Sequence, residues 1–315
     1  MEEEVVVRVN NITKNFGYVT ALNKVSIEVK KNTIFGLLGS NGAGKSTLLH
    51  ILTGLLNYDS GEVYIFGEKI KNKYSKILKK RIAIVPQKIS LYDTLTIYDN
   101  LYFFGRAYGL KRNQVKERID YLQNTLKLGN LDRTIRILSG GYQQRVSIGV
   151  ALIADPELII LDEALVGIDI ETQKIITDLL LKLKKNKTII MTTHSIRDAE
   201  KICDNVCFLH RGNKLLDGET KSIIKEYTPE IGIKLIVVFK DNKSAENSLE
   251  KLNDKYHDDI NCNLENETLT INTKKNVYDI IDFLNKDKKS RRFIENVYIE
   301  RPNLEDVMFK LIKPE

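Results

Sequence analysis

Nowhere does the sequence hold an apolar run of the roughly 18–20 residues that a membrane-spanning helix requires, so no span is expected. Cysteine is scarce. Cys203, Cys207 and Cys262 are too few for a disulfide framework and fit a reducing compartment. Cys203 and Cys207 lack the accompanying His/Cys set that would complete a zinc site, and they read as buried thiols. The opening stretch "MEEEVVVRVN" is acidic and lacks the basic-then-apolar order of a secretory signal. Sustained heptads, internal repeats and low-complexity segments are missing too. These absences argue against an integral membrane protein, a secreted disulfide scaffold, a zinc module and a coiled coil. The expected location is the cytoplasm.

What is present suits two domains in 315 residues. The net charge of +7 is unevenly placed. Residues 225–315 carry 16 Lys+Arg against 18 Asp+Glu, a net −2, which leaves 33 against 24, a net +9, on residues 1–224. Excess basicity in the first part favours nucleotides, nucleic acid or an anionic membrane surface. The basic runs "KNKYSKILKKR" (71–81) and "KLKKNK" (182–187) read first as solvated faces. Nucleic acid is not expected, because Tyr74 is the sole aromatic residue within them and no stacking platform is built.

The first 224 residues alternate apolar strands with helical stretches, an α/β pattern. Strands are expected at 5–9, 25–29, 33–39, 62–67, 81–85, 157–162, 188–194 and 205–212. Several are apolar throughout, as strands buried on both faces of a parallel sheet should be. A helical insert is expected over about 90–140, with the apolar face around Leu101, Phe103 and Phe104 forming its core. Residues 225–315 read β-α-β-β-α-β with a closing helix, which is a small α+β unit of ferredoxin-like order.

"GSNGAGKST" (39–47) follows a strand and opens a helix. Gly39, Gly42 and Gly44, spaced by Ser40, Asn41 and Ala43, let backbone N–H groups wrap phosphate oxygens. Lys45 reaches the outer phosphates, the Ser46 hydroxyl ligates magnesium, and Thr47 follows into the helix. "LIILDEA" (158–164) is an apolar strand that ends in two carboxylates. Asp162 can serve the magnesium shell, and Glu163 can polarise a water in line with the γ-phosphate. Two more strand ends carry polar groups. Gln87 can bond magnesium or the attacking water, and His194 can bond the γ-phosphate, since ligands gather beyond the carboxyl ends of parallel strands. His50, His210 and His257 have no such placement and read as ordinary side chains.

"LSGGYQQR" (138–145) presents Ser139, Gly140 and Gly141 at a helix N-terminus, which is a second phosphate reader. One loop already claims a whole triphosphate. A second reader makes sense if it meets the nucleotide bound to another copy, so that ATP joins two chains head to tail and ADP releases them.

The ordered set of phosphate loop, "PQ" (86–87), "LSGGYQQR", "LIILDEA", "GID" and His194 resembles the ATP-binding subunit of ABC transporters over about residues 4–220. The resemblance implies a P-loop ABC cassette with a mixed sheet and a helical subdomain. It also implies an ATP sandwich dimer, with its own copy or a sister ATPase, in which Ser139–Gly141 act in trans. It places Gln87 on the loop that couples to a membrane permease, Asp169 on a loop that crosses the dimer, and Phe16 against adenine, with Tyr18 close by. The chain departs from the pattern at Ala164, Leu165, Ile170 and Tyr142, none of which is a ligand or base. The insert and the tail "RPNLEDVMFKLI" are similar to those of export ATPases, so an exporter subunit peripheral to the inner face of the membrane is expected. A soluble ABC-type ATPase of translation or DNA repair is the rival reading.

Overall fold

In the computed structural model, which describes residues 4–70, 74–287 and 291–312, the chain opens on two long antiparallel strands, β1 (Val5–Phe16) and β2 (Val19–Lys30). It crosses to a second sheet through β3 (Ile34–Leu38), turns into α1 (Lys45–Leu52), and returns with β4 (Ser60–Ile65) and β5 (Glu68–Ile70). The first sheet is antiparallel, in the order β2-β1-β4-β5. Its strands alternate as a half-wet sheet should. Val7, Val9 and Ile12 are buried, whereas Arg8 points outward and bonds Glu28 across the pair at 2.7 Å. This alternation lets the polar stretch "NNITKNF" remain a strand, so β1 and β2 run well past the expected 5–9 and 25–29.

After α2 (Lys76–Arg81) comes β6 (Ile82–Val85). The first three residues of the basic run 71–81 lie outside the described residues. Arg81 ends that run as a clamp. It bonds Glu157 through Nε and Nη2 at 2.6 and 2.9 Å and stacks 3.6 Å from the Phe66 ring centre. The insert holds α3 (Ile97–Ala107) and α4 (Arg112–Thr125), and leads to α5 (Gly140–Leu152). Thr96 and Asp99 form a reciprocal cap at the start of α3, and the fully buried Asn100 donates to the Tyr92 and Thr96 carbonyls. Leu101 lies in the core, but the expected core face stops there. Phe103 is 46% exposed and, with Phe104, packs around Tyr92, because its side of α3 turns to solvent.

The chain continues through β7 (Leu158–Asp162), α6 (Ile170–Leu183), β8 (Thr188–Thr193), α7 (Ile196–Ile202), β9 (Asn205–His210) and β10 (Asn213–Glu219). The second sheet has the order β10-β9-β3-β8-β7-β6. It is parallel except for the β9–β10 hairpin. Every residue of β3, β7 and β8 is buried, Asp162 and the three threonines of β8 included, as strands covered on both faces are. The parallel register brings the carboxyl ends of β3, β6, β7, β8 and β9 to one edge, which is where the site forms.

The chain divides into two compact units at Glu219/Thr220. The second begins with α8 (Thr220–Ile231) and follows with β11 (Ile233–Phe239), α9 (Asn242–Tyr256), β12 (Ile260–Glu265), β13 (Thr268–Thr273), α10 (Val277–Lys286), β14 (Ile294–Glu300) and α11 (Leu304–Ile312). Its sheet is antiparallel in the order β12-β13-β11-β14, the split β-α-β arrangement. Leu235, Val237 and Phe239 of β11 share one core with Leu252 of α9 and Ile280 and Leu284 of α10.

Candidate active site

Residues 39–47 join β3 to α1 as a loop closed tightly on its neighbours. A Cβ on Gly39 would sit 2.3 Å from the Leu209 carbonyl oxygen, and one on Gly44 would sit 2.6 Å from that of Ala21. Both glycines have positive φ, and Gly44 occupies the N-cap of α1. No other residue fits either position. Lys45 is buried, and its Nζ donates to the Gly39 and Ser40 carbonyls at 2.8 and 3.1 Å, so the ammonium arches back over the loop. Burial holds its pKa below the usual lysine value, partly countered by the nearby Glu163 and Asp162 carboxylates.

Glu163 is the meeting point of the site. Gln87 Nε2 donates to its Oε2 at 2.8 Å, His194 Nδ1 lies 3.6 Å from its Oε1, and Lys45 Nζ stands 4.0 Å from the same oxygen. These groups come from the ends of β6, β8 and β3, as parallel strand ends permit. Glu163 has φ +49, a left-handed backbone that a glutamate adopts at a cost of about 1–3 kcal/mol and that marks strained functional positions. Asp162, buried at the last position of β7, accepts from Thr192 Oγ1 at 2.6 Å, while the Glu163 N–H donates to the same hydroxyl at 2.9 Å. Thr192 therefore sets the spacing of the two acids. It is the register partner of Asp162 across β7 and β8, a relation that only the paired sheet reveals.

A cavity of about 720 Å³ runs from these groups to the β1–β2 hairpin. It is lined by Phe16, Val19, Thr20 and Ala21, by residues 41–47, and by Gln87, Glu163, His194 and Arg211. Phe16 is half-exposed at its mouth, with Lys14 Nζ 5.4 Å from the ring centre. Lys14 and the Asn15 backbone are both bonded to Asp59, which fixes the strand end; those two hydrogen bonds hold the Asp59 carboxyl below its usual pKa. Tyr18 is fully exposed at the hairpin tip and does not line the cavity.

Ser139, Gly140, Gly141 and Asp169 are not among the cavity's lining residues. Ser139 caps α5, accepting from the Tyr142 N–H at 3.4 Å, and the two glycines form the first turn. Asp169 caps α6 by accepting from the Thr172 N–H at 2.8 Å, which keeps its carboxyl below the usual range. The two segments touch. A Cβ on Gly141 would lie 2.5 Å from Asp169 Oδ2. Ser139 and Gly140 are exposed at the start of α5, whereas Gly141 is buried against Asp169 and Thr172.

Comparison with known proteins agrees with this geometry. A family model described as ABC transporter matches residues 22–166. Nod factor export ATP-binding protein I of Rhizobium sp. (strain N33) is 36% identical over 241 residues, covering 76% of this chain and 78% of that protein. The chain belongs to the ABC transporter ATP-binding family. The linearmycin resistance ATP-binding protein of Bacillus subtilis (strain 168) is 35% identical over 237 residues, 74% of this chain and 75% of that one. A solved dimeric ATP-binding cassette in a post-hydrolysis state, bound to ADP and Pi, matches with a TM-score of 0.62 at 28% identity, over 68% of this chain and 98% of that chain. This chain is an ABC ATPase, and the rival reading in translation or DNA repair is not favoured by its relatives.

Thr192 and Arg211 at the ABC cassette's site escaped the sequence reading, as did Val19, Thr20 and Ala21 of the cavity wall. Arg211 stands directly beyond β9, where the rule that selected Gln87 and His194 would have found it. Cys203 and Cys207 are buried, their thiols pushed up in pKa by burial, and the described residues hold no cluster of three or more metal-ligating His, Cys, Asp or Glu side chains.

Proposed function

We propose that this ABC cassette drives export through a separate membrane permease, working as an ATP-closed dimer with its own copy or a sister cassette. The convergence of Lys45, Gln87 and His194 on Glu163 carries the reading of the chemistry. In it the N–H groups of the phosphate loop and Lys45 hold the β- and γ-phosphates, and Phe16 stacks on adenine. Glu163 takes a proton from the attacking water, and His194 bonds the γ-phosphate. The Gln87 amide, already tied to Glu163, orients that water. The donor set suits magnesium. One buried carboxylate, Asp162, and one hydroxyl, Ser46, leave room for the phosphate oxygens and waters that this ion keeps. When bound, the ion neutralises charge on the transferred phosphoryl group.

The placement of Ser139–Gly141 away from the cavity supports their action on the partner's nucleotide, with Asp169 beside them at the same interface. A second cavity, about 350 Å³, supports permease docking. Leu55, Tyr74, Lys79, Ile82, Ile84 and Tyr108 line it, on the strand that leads to Gln87. Leu55 is 72% exposed, and the Tyr74 hydroxyl is buried without a hydrogen-bond partner among the described residues. A docked segment covers the first and satisfies the second. No described helix is long and apolar enough to cross a membrane. In this reading the permease supplies the span, and the cassette sits peripherally on the inner face. The named relatives act in export of a Nod factor and in linearmycin resistance. By analogy, this chain's cargo moves outward.

The test is co-purification. The tagged protein is drawn from its host's membranes in mild detergent, and its companions are identified by mass spectrometry. A polytopic membrane protein is expected. The double variant Leu55→Asp, Ile84→Asp is expected to lose it at least tenfold, as loss of an apolar docking anchor does, with MgATP affinity unchanged. Ribosomes or DNA in place of a membrane protein would overturn the reading.

A further inference from the structure

We propose that Arg211 is a nucleotide-binding residue that grips the α-phosphate, a role that the recognised motifs do not include. The inference rests on the ATP-site reading above and extends it by one residue. Arg211 and Gly212 are the two residues of the β9–β10 hairpin, with φ of +47 and +77. Positive φ at both centres of a two-residue turn calls for Asn or Asp before Gly, and arginine is a poor occupant. A residue kept against its local preference points to a task elsewhere.

The turn is bolted to the site. The Gly212 N–H donates to the Ala43 carbonyl in the phosphate loop at 3.0 Å, and the Asn23 N–H donates to the Gly212 carbonyl at 2.8 Å. Asn213 Nδ2 returns to the Arg211 carbonyl at 3.1 Å, and Asn23 Nδ2 reaches Asn213 at 3.0 Å. The backbone of residue 211 is thereby tied to both the loop that holds phosphates and the strand that bears Thr20 and Ala21. Its side chain is exposed and lines the nucleotide cavity, and no described residue engages the guanidinium in a hydrogen bond or ion pair.

Position selects the ligand atom. Lys45, Gln87, Glu163 and His194 mark the γ-phosphate end, and Phe16 and Val19 mark the base. A Cβ on Gly212 would lie 2.9 and 3.1 Å from the Ala21 and Thr20 carbonyl oxygens, and the Gly212 N–H bonds Ala43. The turn therefore touches both the strand that leads from Val19 and the loop that leads to Lys45. A nucleotide that joins those two ends carries its ribose and α-phosphate between them. A guanidinium in that place prefers the anion, which it can meet with two parallel N–H bonds.

The experiment compares wild type, Arg211→Asn and Arg211→Lys in the full chain by calorimetric titration with MgADP and MgGDP, alongside thermal unfolding without nucleotide. Arg211→Asn should bind both nucleotides about tenfold more weakly, the loss of one charge-assisted contact. Arg211→Lys, which keeps the charge, should recover most of that loss. The unliganded Asn variant should melt at the wild-type temperature or above, since the turn is relieved. Binding by the Asn variant within twofold of wild type would overturn the proposal, and so would a loss confined to MgADP, which would place the contact on the base. A wild-type protein that binds no MgADP defeats the ATP-site reading itself, a result distinct from binding that ignores residue 211.

Discussion

Glu163→Gln is expected to lower ATP turnover roughly 10²- to 10³-fold while MgATP still binds, because it removes the proposed base and keeps the shape. Gln87 and His194 approach the Glu163 carboxylate, and an amide of the same size can occupy that place without accepting a proton. The neighbouring Asp162, held by Thr192, is untouched. Phosphate release measures the chemistry, and sedimentation at saturating MgATP measures the consequence. The variant should accumulate as a dimer with ATP and revert with ADP. Turnover within tenfold of wild type would move the base elsewhere. A monomer at saturating ATP would count against closure by two copies of this chain, and leaves a sister cassette as the partner.

The second large effect is a rescue. Lys45→Ala should abolish nucleotide grip, and Gly141→Asp should abolish turnover while leaving MgADP binding by the isolated chain intact. The first removes the buried ammonium at the phosphate loop. The second drives a carboxylate against Asp169, since even a Cβ at residue 141 would lie 2.5 Å from Asp169 Oδ2. Each variant alone should turn over ATP at least 10²-fold more slowly. Mixed in equal amounts they should regain roughly a quarter of the wild-type rate, because half of randomly paired dimers hold one site with an intact loop facing an intact signature. A mixture as inactive as its parts would show that both elements serve one nucleotide within one chain, or that the copies do not pair.

Much of the architecture could be read in advance because its signals are local. Runs rich in apolar residues at 33–39, 157–162 and 188–194 read as buried parallel strands, and the order of strand and helix stretches from residue 233 read as the βαββαβ unit that the structure holds. The strand-end rule drew Gln87, Asp162 and His194 together, and the structure brings them to one sheet edge. What could not be read depends on partners distant in the chain. Thr192 is one threonine among several until β7 and β8 pair and set it opposite Asp162. Arg211 was within reach of the strand-end rule but was passed over because 205–212 read as one strand, whereas β9 ends at His210 and leaves Arg211 just beyond it. β1 and β2 exceeded their apolar cores because the antiparallel partner, not apolarity, keeps Asn10–Phe16 extended. Phe103 misled because its helix has fewer neighbours than its apolar residues suggest.

The contact between Gly141 and Asp169 ties together two segments with separate duties. Asp169 follows Glu163 on the same loop, and Gly141 opens the helix that meets a neighbouring chain's nucleotide in the proposed dimer. A movement of either is delivered to the other with little slack, since one fits only if the other holds its place. Each chain would then sense its partner's ATP through the loop that carries its own base. In such a pair what fills one site is felt at the other, although each site can still turn over by itself.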